Sequence, residues 1–429
     1  MARSICIVAA KNLRHNTRVA RQATALSENG YRVAIAALEL PLGDQLDGIE
    51  LIRIQTWRPL QRLLGADKKR QPQTHGDLLG RTDSQSDLDV SGARASLVRV
   101  LRACARPFAQ RITSLLFAHA CRNQISGTYD VIQAHDALAL RAAVALARRQ
   151  KAKLAYDGVE FVDNRAFASS DRLFRFIRRL ESKIEAKIIR QADASFAIGP
   201  SMQAWMSRRY QIPAPTVVRN CRNFEPAKSD PELRARIGAS ETDVVILYLN
   251  SIAPGRGVEQ VLHALTHTNT PFRLAILGDT GESPYAQLIR QEIEALGLSN
   301  RVHFIPPCPS SDVVRMSSGA DIGVIPFLAI HHNHYYSLPN RIFEMIMARL
   351  PVGASNFPDL SALINEHKIG LTFEPQEARS IANALDEINR RRKSEFWTRA
   401  LEKAATSLNW EKESETYLDR IGRLFPQDN

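Results

Sequence analysis

The feature that most constrains this chain is a rhythm: short apolar runs alternate, nearly end to end, with segments of helical periodicity. Such runs fit strands buried on both faces, and the helical segments between them supply the covering layers. That alternation belongs to parallel sheets wrapped by helices, an α/β fold class. In the first half it predicts strands over residues 4–10, 32–38, 51–54, 130–134, 153–156 and 194–198. A helix over 17–29 is expected to stop at Gly30. In the second half it predicts strands over 244–249, 273–277, 302–305, 322–326 and 351–354, each followed by a helix.

A chain of 429 residues exceeds one ordinary core, so two domains are expected. They are placed at 1–220 and 221–408, with a terminal helix over 409–429. Residues 63–95 break the rhythm, being polar, rich in turn formers and aperiodic, and are expected to form a mobile insertion. Asp87-Leu88-Asp89 lies inside it and spells a D-x-D metal motif. Two such carboxylates need a strand end to fix them on one cation; none is predicted there, so no metal is assigned.

The five cysteines, Cys6, Cys104, Cys121, Cys221 and Cys308, are scattered and odd in number, without a C-x-x-C pair. This points to a reducing compartment. The first apolar run ends at Lys11, too soon for a signal sequence, and no stretch reaches the ~20 apolar residues of a membrane span. A cytoplasmic location is expected.

Charge divides the chain. Residues 1–220 carry 35 Lys+Arg against 19 Asp+Glu, a balance of +16, whereas residues 221–429 carry 22 against 26, a balance of −4. The first half should therefore face something anionic. Two basic amphipathic helices are predicted there, at 96–125 and 171–191. In the first, Leu97, Leu101, Cys104, Phe108, Ile112 and Leu115 form the apolar stripe, with Arg99, Arg102 and Arg106 on another face. In the second, Phe174, Ile177, Ile184 and Ile188 form the stripe, and Arg172, Arg175, Arg179, Lys183, Lys187 and Arg190 a continuous positive face. A solvated helix face is the plain reading of such a stripe. The functional one is docking on anionic lipid head groups at the inner face of the cytoplasmic membrane. No aromatic-interleaved groove or nucleic-acid motif is present, so no nucleic-acid partner is assigned.

The most informative segment is YYSLPNRIFEMIMARLPVGAS at 335–355. Ser337 is expected to cap a helix that has Pro339 in its first turn and runs to Arg349. This helix follows the strand at 322–326, where open α/β sheets place ligands. Its free N–H groups and dipole suit a diphosphate without a metal, and Glu344 lies close enough to accept hydrogen bonds from ribose hydroxyls.

In these residues the chain resembles the retaining GT-B glycosyltransferases, whose second domain carries a P-N-K-L-F-E-like helix start followed by A-x-G-x-P-V-V; here the run is PNRIFEMIMARLPVG. YLNSIAPGRGVEQVLHAL (248–265), FRLAILGD (272–279), NRVHFIPPCPSSDVVRMSSGADIGVIPF (300–327) and SLNWEKESETYLDRIGRL (407–424) extend the likeness in order. The resemblance implies two Rossmann-like domains with an inter-domain cleft and a C-terminal helix crossing back to the first domain. It makes Arg256 a diphosphate ligand, Glu344 the ribose ligand and Leu338, Pro339 and Asn340 the phosphate-binding turn, with Gly278 admitting the nucleotide to the backbone. In the first half, DVIQAHD resembles a strand ending in a cleft-facing His-Asp, which places His135 and Asp136 near the sugar and acceptor. Arg18 corresponds to the family's first βα turn, from which it would reach the donor phosphates or the acceptor. Tyr156-Asp157-Gly158-Val159-Glu160 resembles Y-D-x-H-E, with Val159 in place of His, making Asp157 and Glu160 acceptor candidates.

The chain also departs from that pattern. The first of two glutamates eight positions apart is replaced by Tyr336, the earlier cation of the basic loop by Ser251, and a glycine by Asn250. His331, His332 and His334 lie where the sugar is expected and could bond its hydroxyls. The expected activity is metal-independent, retaining transfer from a nucleotide-diphosphate-sugar, a substrate rather than a cofactor, to a glycan or lipid-linked acceptor in cell-envelope polysaccharide or glycolipid assembly. His135, Arg256 and Glu344 are the expected catalytic residues. The alternatives are a nucleotide-sugar epimerase or hydrolase of the same fold, or a non-catalytic binding or scaffold protein.

Overall fold

The computed structural model describes residues 3–13, 17–40, 46–56, 112–161, 183, 185–336 and 338–426. The insertion expected at 63–95, with Asp87 and Asp89, lies outside them, as do the first basic helix before residue 112 and most of the second before residue 185. Described residues up to Val218, together with those from Ser414 onward, form one compact unit; Arg219–Glu413 form another.

The first unit is built on a parallel sheet of order β3-β2-β1-β4-β5-β6-β7. Its strands are β1 (Ser4–Asn12), β2 (Arg32–Glu39), β3 (Ile49–Arg53), β4 (Val131–His135), β5 (Lys153–Gly158), β6 (Ala194–Ala197) and β7 (Thr216–Val217). The runs ICIVA in β1 and VIQAH in β4 are buried throughout, as burial on both faces demands. The first helix, Thr17–Glu28, ends before Gly30, which takes the left-handed φ of 80° that a helix exit needs. The terminal helix Trp410–Gly422 carries the chain back into this unit, burying Tyr417 and Ile421.

The second unit holds a parallel sheet of order β10-β9-β8-β11-β12-β13. Its strands are β8 (Val245–Leu249), β9 (Arg273–Leu277), β10 (Val302–Ile305), β11 (Ile322–Ile325), β12 (Val352–Ser355) and β13 (Gly370–Phe373). Alternate residues of β8 feed two cores: Val245, Leu247 and Leu249 pack in one, Ile246 and Tyr248 in the other. Among the described residues no helix is long and apolar enough to cross a membrane.

Three expectations are corrected. The helix expected to run from a Ser337 cap to Arg349 spans Asn340–Met347 and its cap position is Pro339, not Ser337, which lies outside the described residues. Pro339 is extended, with ψ 144°, so the first turn opens after it. The helix also stops short of Arg349, whose φ of 60° is left-handed. In the basic helix described over 112–124, Ile112 and Leu115 of the expected apolar stripe are each 50% exposed. The buried side is instead Ser114, Phe117, Ala120 and Cys121, with Ser114 Oγ donating to Leu138 O at 3.1 Å. In the second basic helix Ala186 and Ile189 are buried, while Ile188 is half-buried.

Candidate functional site

In the second unit the chain winds outward in both directions from β8 and its neighbour β11. At such a switch point the loops after the two strands diverge and leave a crevice. The loop after β8 is shaped by two glycines. A Cβ on Gly257, φ 78°, would stand 1.7 Å from the Pro326 carbonyl oxygen at the end of β11. Gly255 packs against Ile330, and its carbonyl accepts from Leu328 N at 2.9 Å. Between them sits Arg256, half-buried, its Nη1 shared among Asn250 Oδ1 (2.8 Å), Ser251 O (2.9 Å) and Ser251 Oγ (2.5 Å). Two of the three positions that depart from the resembled pattern, Asn250 and Ser251, are thus the ones that hold the arginine.

Asp279, just after β9, ties the neighbouring turns together: its carboxylate accepts from Ile252 N at 2.7 Å and from Gly281 N at 2.8 Å. Gly278 has φ 112° and donates its N–H to Ile305 O at 3.0 Å, and a Cβ on it would stand 3.3 Å from the Asn250 carbonyl carbon. The helix Asn340–Met347 begins without a side-chain cap, so its first N–H groups and positive dipole end are available to an anion. Leu338 is buried beneath this turn, and Asn340, exposed, accepts from Asn220 Nδ2 at 2.7 Å. Glu344, one turn along, is 5% exposed and accepts from Arg341 Nη1 at 2.9 Å.

After β11 the short helix His332–Tyr335 forms an aromatic turn. The His334 ring stacks on Phe327 at 4.9 Å, meets His331 edge-on at 3.9 Å and donates Nδ1–H to Leu328 O at 3.2 Å. Burial first, then His331 and Arg256 nearby, lower the His334 pKa to about 4. Burial also lowers that of His331. These two imidazoles are neutral hydrogen-bonding groups at pH 7. His332 and Tyr336 approach at 5.5 Å between ring centres, and Tyr336 meets Tyr335 edge-on.

In the first unit the switch point lies between β1 and β4. His135 ends β4, 1% exposed, with Nδ1 3.2 Å from Asp157 Oδ2 on β5. Asp157 is wholly buried and accepts from Arg18 Nε (2.9 Å) and Nη2 (2.7 Å) and from Gln22 Nε2 (3.0 Å). Arg18 Nη1 also donates to Val218 O at 2.9 Å. Burial would raise the Asp157 pKa, but the charge and bonds of Arg18 and the bond from His135 hold it well below the usual carboxylate range. Arg18, expected at phosphate or acceptor, and Asp157, an acceptor candidate, pair with each other, and Asp157 also faces His135. Asp136, φ 71°, turns Oδ1 to the Leu138 and Ala139 amides, at 2.8 and 3.3 Å, opening the next helix. Glu160 is exposed, two residues beyond β5.

Gln22, Gln133 and Tyr417 complete this cluster and were not singled out in the sequence. A signal existed: glutamines inside the buried face of one helix and inside the run VIQAH need hydrogen-bond partners.

Comparison with known proteins bears on both units. The family described as "Glycosyl transferase 4-like domain" matches residues 15–221, and "Glycosyl transferases group 1" matches residues 229–403. The D-inositol 3-phosphate glycosyltransferase of Thermobifida fusca is 23% identical over 171 residues, 38% of this chain and 38% of that protein. The chain thus matches about two fifths of the length of this curated relative. Among solved structures, sucrose-phosphate synthase from Thermosynechococcus elongatus superposes with TM-score 0.70 at 14% identity, covering 99% of each chain. The Anabaena protein HepE in complex with UDP does so with TM-score 0.67 at 14% identity, covering 98% of this chain and 100% of that one. At these identities the likeness speaks for the fold, two parallel α/β units of the GT-B type.

Proposed function

We propose that this chain, which belongs to the glycosyl transferases group 1 family, moves a sugar from a nucleotide-diphosphate-sugar to an acceptor hydroxyl. One observation carries the reading: an uncapped helix start at Pro339–Asn340 and a pre-ordered Arg256 both lie in the loops that follow β11 and β8, adjacent strands at the switch point of one sheet. A doubly charged diphosphate is the ligand such donors suit. UDP is the first probe to try, since HepE was solved with it.

In this reading Arg256 and the turn Leu338–Pro339–Asn340 hold the diphosphate, Gly278 lets the nucleotide approach the backbone, and Glu344 binds ribose. His332 and Tyr336 face the sugar, His135 meets sugar or acceptor, and Asp136 and Glu160 border the acceptor. Arg18 and Asp157 act through His135. The bond from the anomeric carbon to the diphosphate oxygen breaks, one to the acceptor oxygen forms, and the acceptor proton ends on the departing diphosphate. Charge builds on that leaving group, which is where Arg256 and the helix dipole act. We further propose that transfer is retaining, needs no metal, and serves cell-envelope glycan or glycolipid assembly. The lipid-linked acceptor would be met at an anionic membrane surface. The positive balance of residues 1–220 and the exposed Ile112, Leu115 and Leu116 of helix 112–124 support that last step.

The test is nucleoside diphosphate release from a panel of sugar donors with and without lipid-linked acceptors. Arg256→Ala and Glu344→Ala should each lower kcat/KM by about 100-fold or more. Full activity in both variants would sink the site assignment. Donor turnover without acceptor would favour an epimerase or hydrolase, and UDP binding without turnover a scaffold.

A further inference from the structure

The first unit has a cavity at the end of its sheet opposite to His135. Lys153, which opens β5, pairs with Val131, whereas Asp157 near the other end of that strand pairs with His135. Four steps of extended chain put about 13 Å between the two ends. At the Lys153 end a cavity of about 290 Å³ is lined by the last turns of helix Leu140–Gln150, the start of β5 and the turn into β6. Ligand pockets run from about 300 to 1,000 Å³, so this one suits a small molecule rather than a nucleotide-sugar.

The lining combines apolar Val144, Ala147 and Leu154 with basic Arg148, Lys151 and Lys153, and its one carboxylate is Asp193. Every side-chain acceptor in it is already taken. Gln191 Oε1 accepts from Arg148 Nη2 at 2.6 Å. Asp193 Oδ1 accepts from Lys153 Nζ at 2.9 Å, and its Oδ2 from Leu154 N at 2.9 Å. At the helix end the carbonyls of Ala147 and Arg148 accept from the Lys151 N–H. Donors remain in surplus. The Lys153 ammonium and the Arg148 guanidinium each keep further N–H groups, and the Lys151 ammonium meets no acceptor among the described residues. Two of the three cations are thus held in place by the chain without being used up.

We propose that this cavity is a ligand site for a phosphate ester of a small polyol, separate from the site proposed for the donor. A ligand that answers surplus donors must be an acceptor, and cationic donors make their strongest bonds to an anion. The paired N–H groups of a guanidinium match two oxygens of one phosphate. Val144, Ala147 and Leu154 cover the carbon skeleton. A helix C-terminus favours cations, which accounts for a basic residue at Arg148. It does not account for a cavity whose side-chain acceptors are all filled from within. A free polyol phosphate and a phospholipid head group offer the same chemistry. Because the cavity lies at the far end of the sheet from His135, its ligand takes no part in sugar transfer.

The experiment titrates the full chain with sn-glycerol 3-phosphate in a calorimeter, with glycerol at matched ionic strength as the blank. Binding that Arg256→Ala leaves and Lys151→Gly removes belongs to this cavity. Glycine suits the left-handed φ of 55° at Lys151, so that variant loses the ammonium without straining the backbone. It should weaken binding about 10-fold or more, and Arg148→Gln likewise. Lys183→Ala removes the same charge from an exposed position elsewhere in the unit and should leave the affinity unchanged. Melting without ligand verifies the fold of each variant, and Lys153→Gln, with the same expected loss, decides if either cavity variant does not fold. No binding by the wild type, full binding by Lys151→Gly, or an equal loss in Lys183→Ala overturns the proposal. Sedimentation with phosphatidylglycerol vesicles separates the two sources. Release by glycerol 3-phosphate beyond that caused by chloride of equal ionic strength marks a head-group site, and no such release marks a soluble ester; the Lys151-dependent titration upholds the cavity in either case.

Discussion

Gly257 shows how much of the proposed donor site depends on single residues. Its φ of 78° suits glycine, and any Cβ would lie 1.7 Å from the Pro326 carbonyl oxygen, a backbone atom that cannot swing aside. Gly257→Ala should therefore destabilise the second unit by about 2 kcal/mol or more and weaken UDP binding as the Arg256 loop lifts from β11; melting and calorimetry together check it. His334 makes a second case. Its folded pKa, about 4, is lower than its unfolded value, so between those values the unfolded chain binds more protons than the folded one. That stability is full above about pH 6.5 and drains as pH falls toward the folded value. His334→Phe keeps the stack on Phe327 and removes the titration, so its melting temperature should vary less between pH 7 and pH 4 than that of the wild type. Equal slopes would show that His334 does not carry the acid sensitivity. Residues of this kind were only partly legible in the sequence. Asp157 was visible as a strand-end carboxylate, but its commitment to Arg18, 139 positions away, exists only in the folded unit.

The elements were more legible than their joints. Strands such as β8, β9 and β10 stand where their apolar runs predicted them, because burial on both faces leaves a continuous signature. β7 has two residues at the sheet edge, and β13 reads GLTF, neither a run long enough to announce itself. The start of the helix at Asn340 was misplaced because Ser337 is a good cap by composition, whereas the extended Pro339 sets the turn. The loop after β8 repays the closest reading. Asn250 and Ser251 look like losses when the sequence is set beside the family pattern, yet they fix Arg256 Nη1. Pre-ordering one long side chain is worth about 0.5–1.5 kcal/mol. Asn250→Ala combined with Ser251→Ala should weaken UDP binding about 2–10-fold in calorimetry, mostly through entropy, and leave the melting temperature nearly unchanged. An undiminished affinity would mean that Arg256 needs no such support.

For the whole molecule the unequal division of charge is the dominant fact: +16 over residues 1–220 and −4 over residues 221–429. Such a division does not help either unit fold, since like charges within one unit repel; its use lies in what the first unit meets. Among the described residues of the second basic helix, Lys183 and Lys187 are exposed. Helix 112–124 adds the exposed Ile112, Leu115 and Leu116, side chains that gain by entering an apolar layer. Charge attracts over a Debye length and is screened by salt, whereas apolar insertion is not. The two contributions can therefore be separated on vesicles of anionic and neutral lipid. The chain should sediment with anionic vesicles at low salt and partition less at high salt. Neutralising Lys183 and Lys187 together, at about 1 kcal/mol each, should cut the low-salt partition about 30-fold. Leu115→Ser with Leu116→Ser should remove the part that survives high salt. A chain that partitions equally at low and high salt, and equally on neutral lipid, would break the link between the basic unit and a membrane-borne acceptor. It would leave the donor site proposed in the second unit untouched, because Arg256, Glu344 and the helix start at Asn340 owe nothing to that charge.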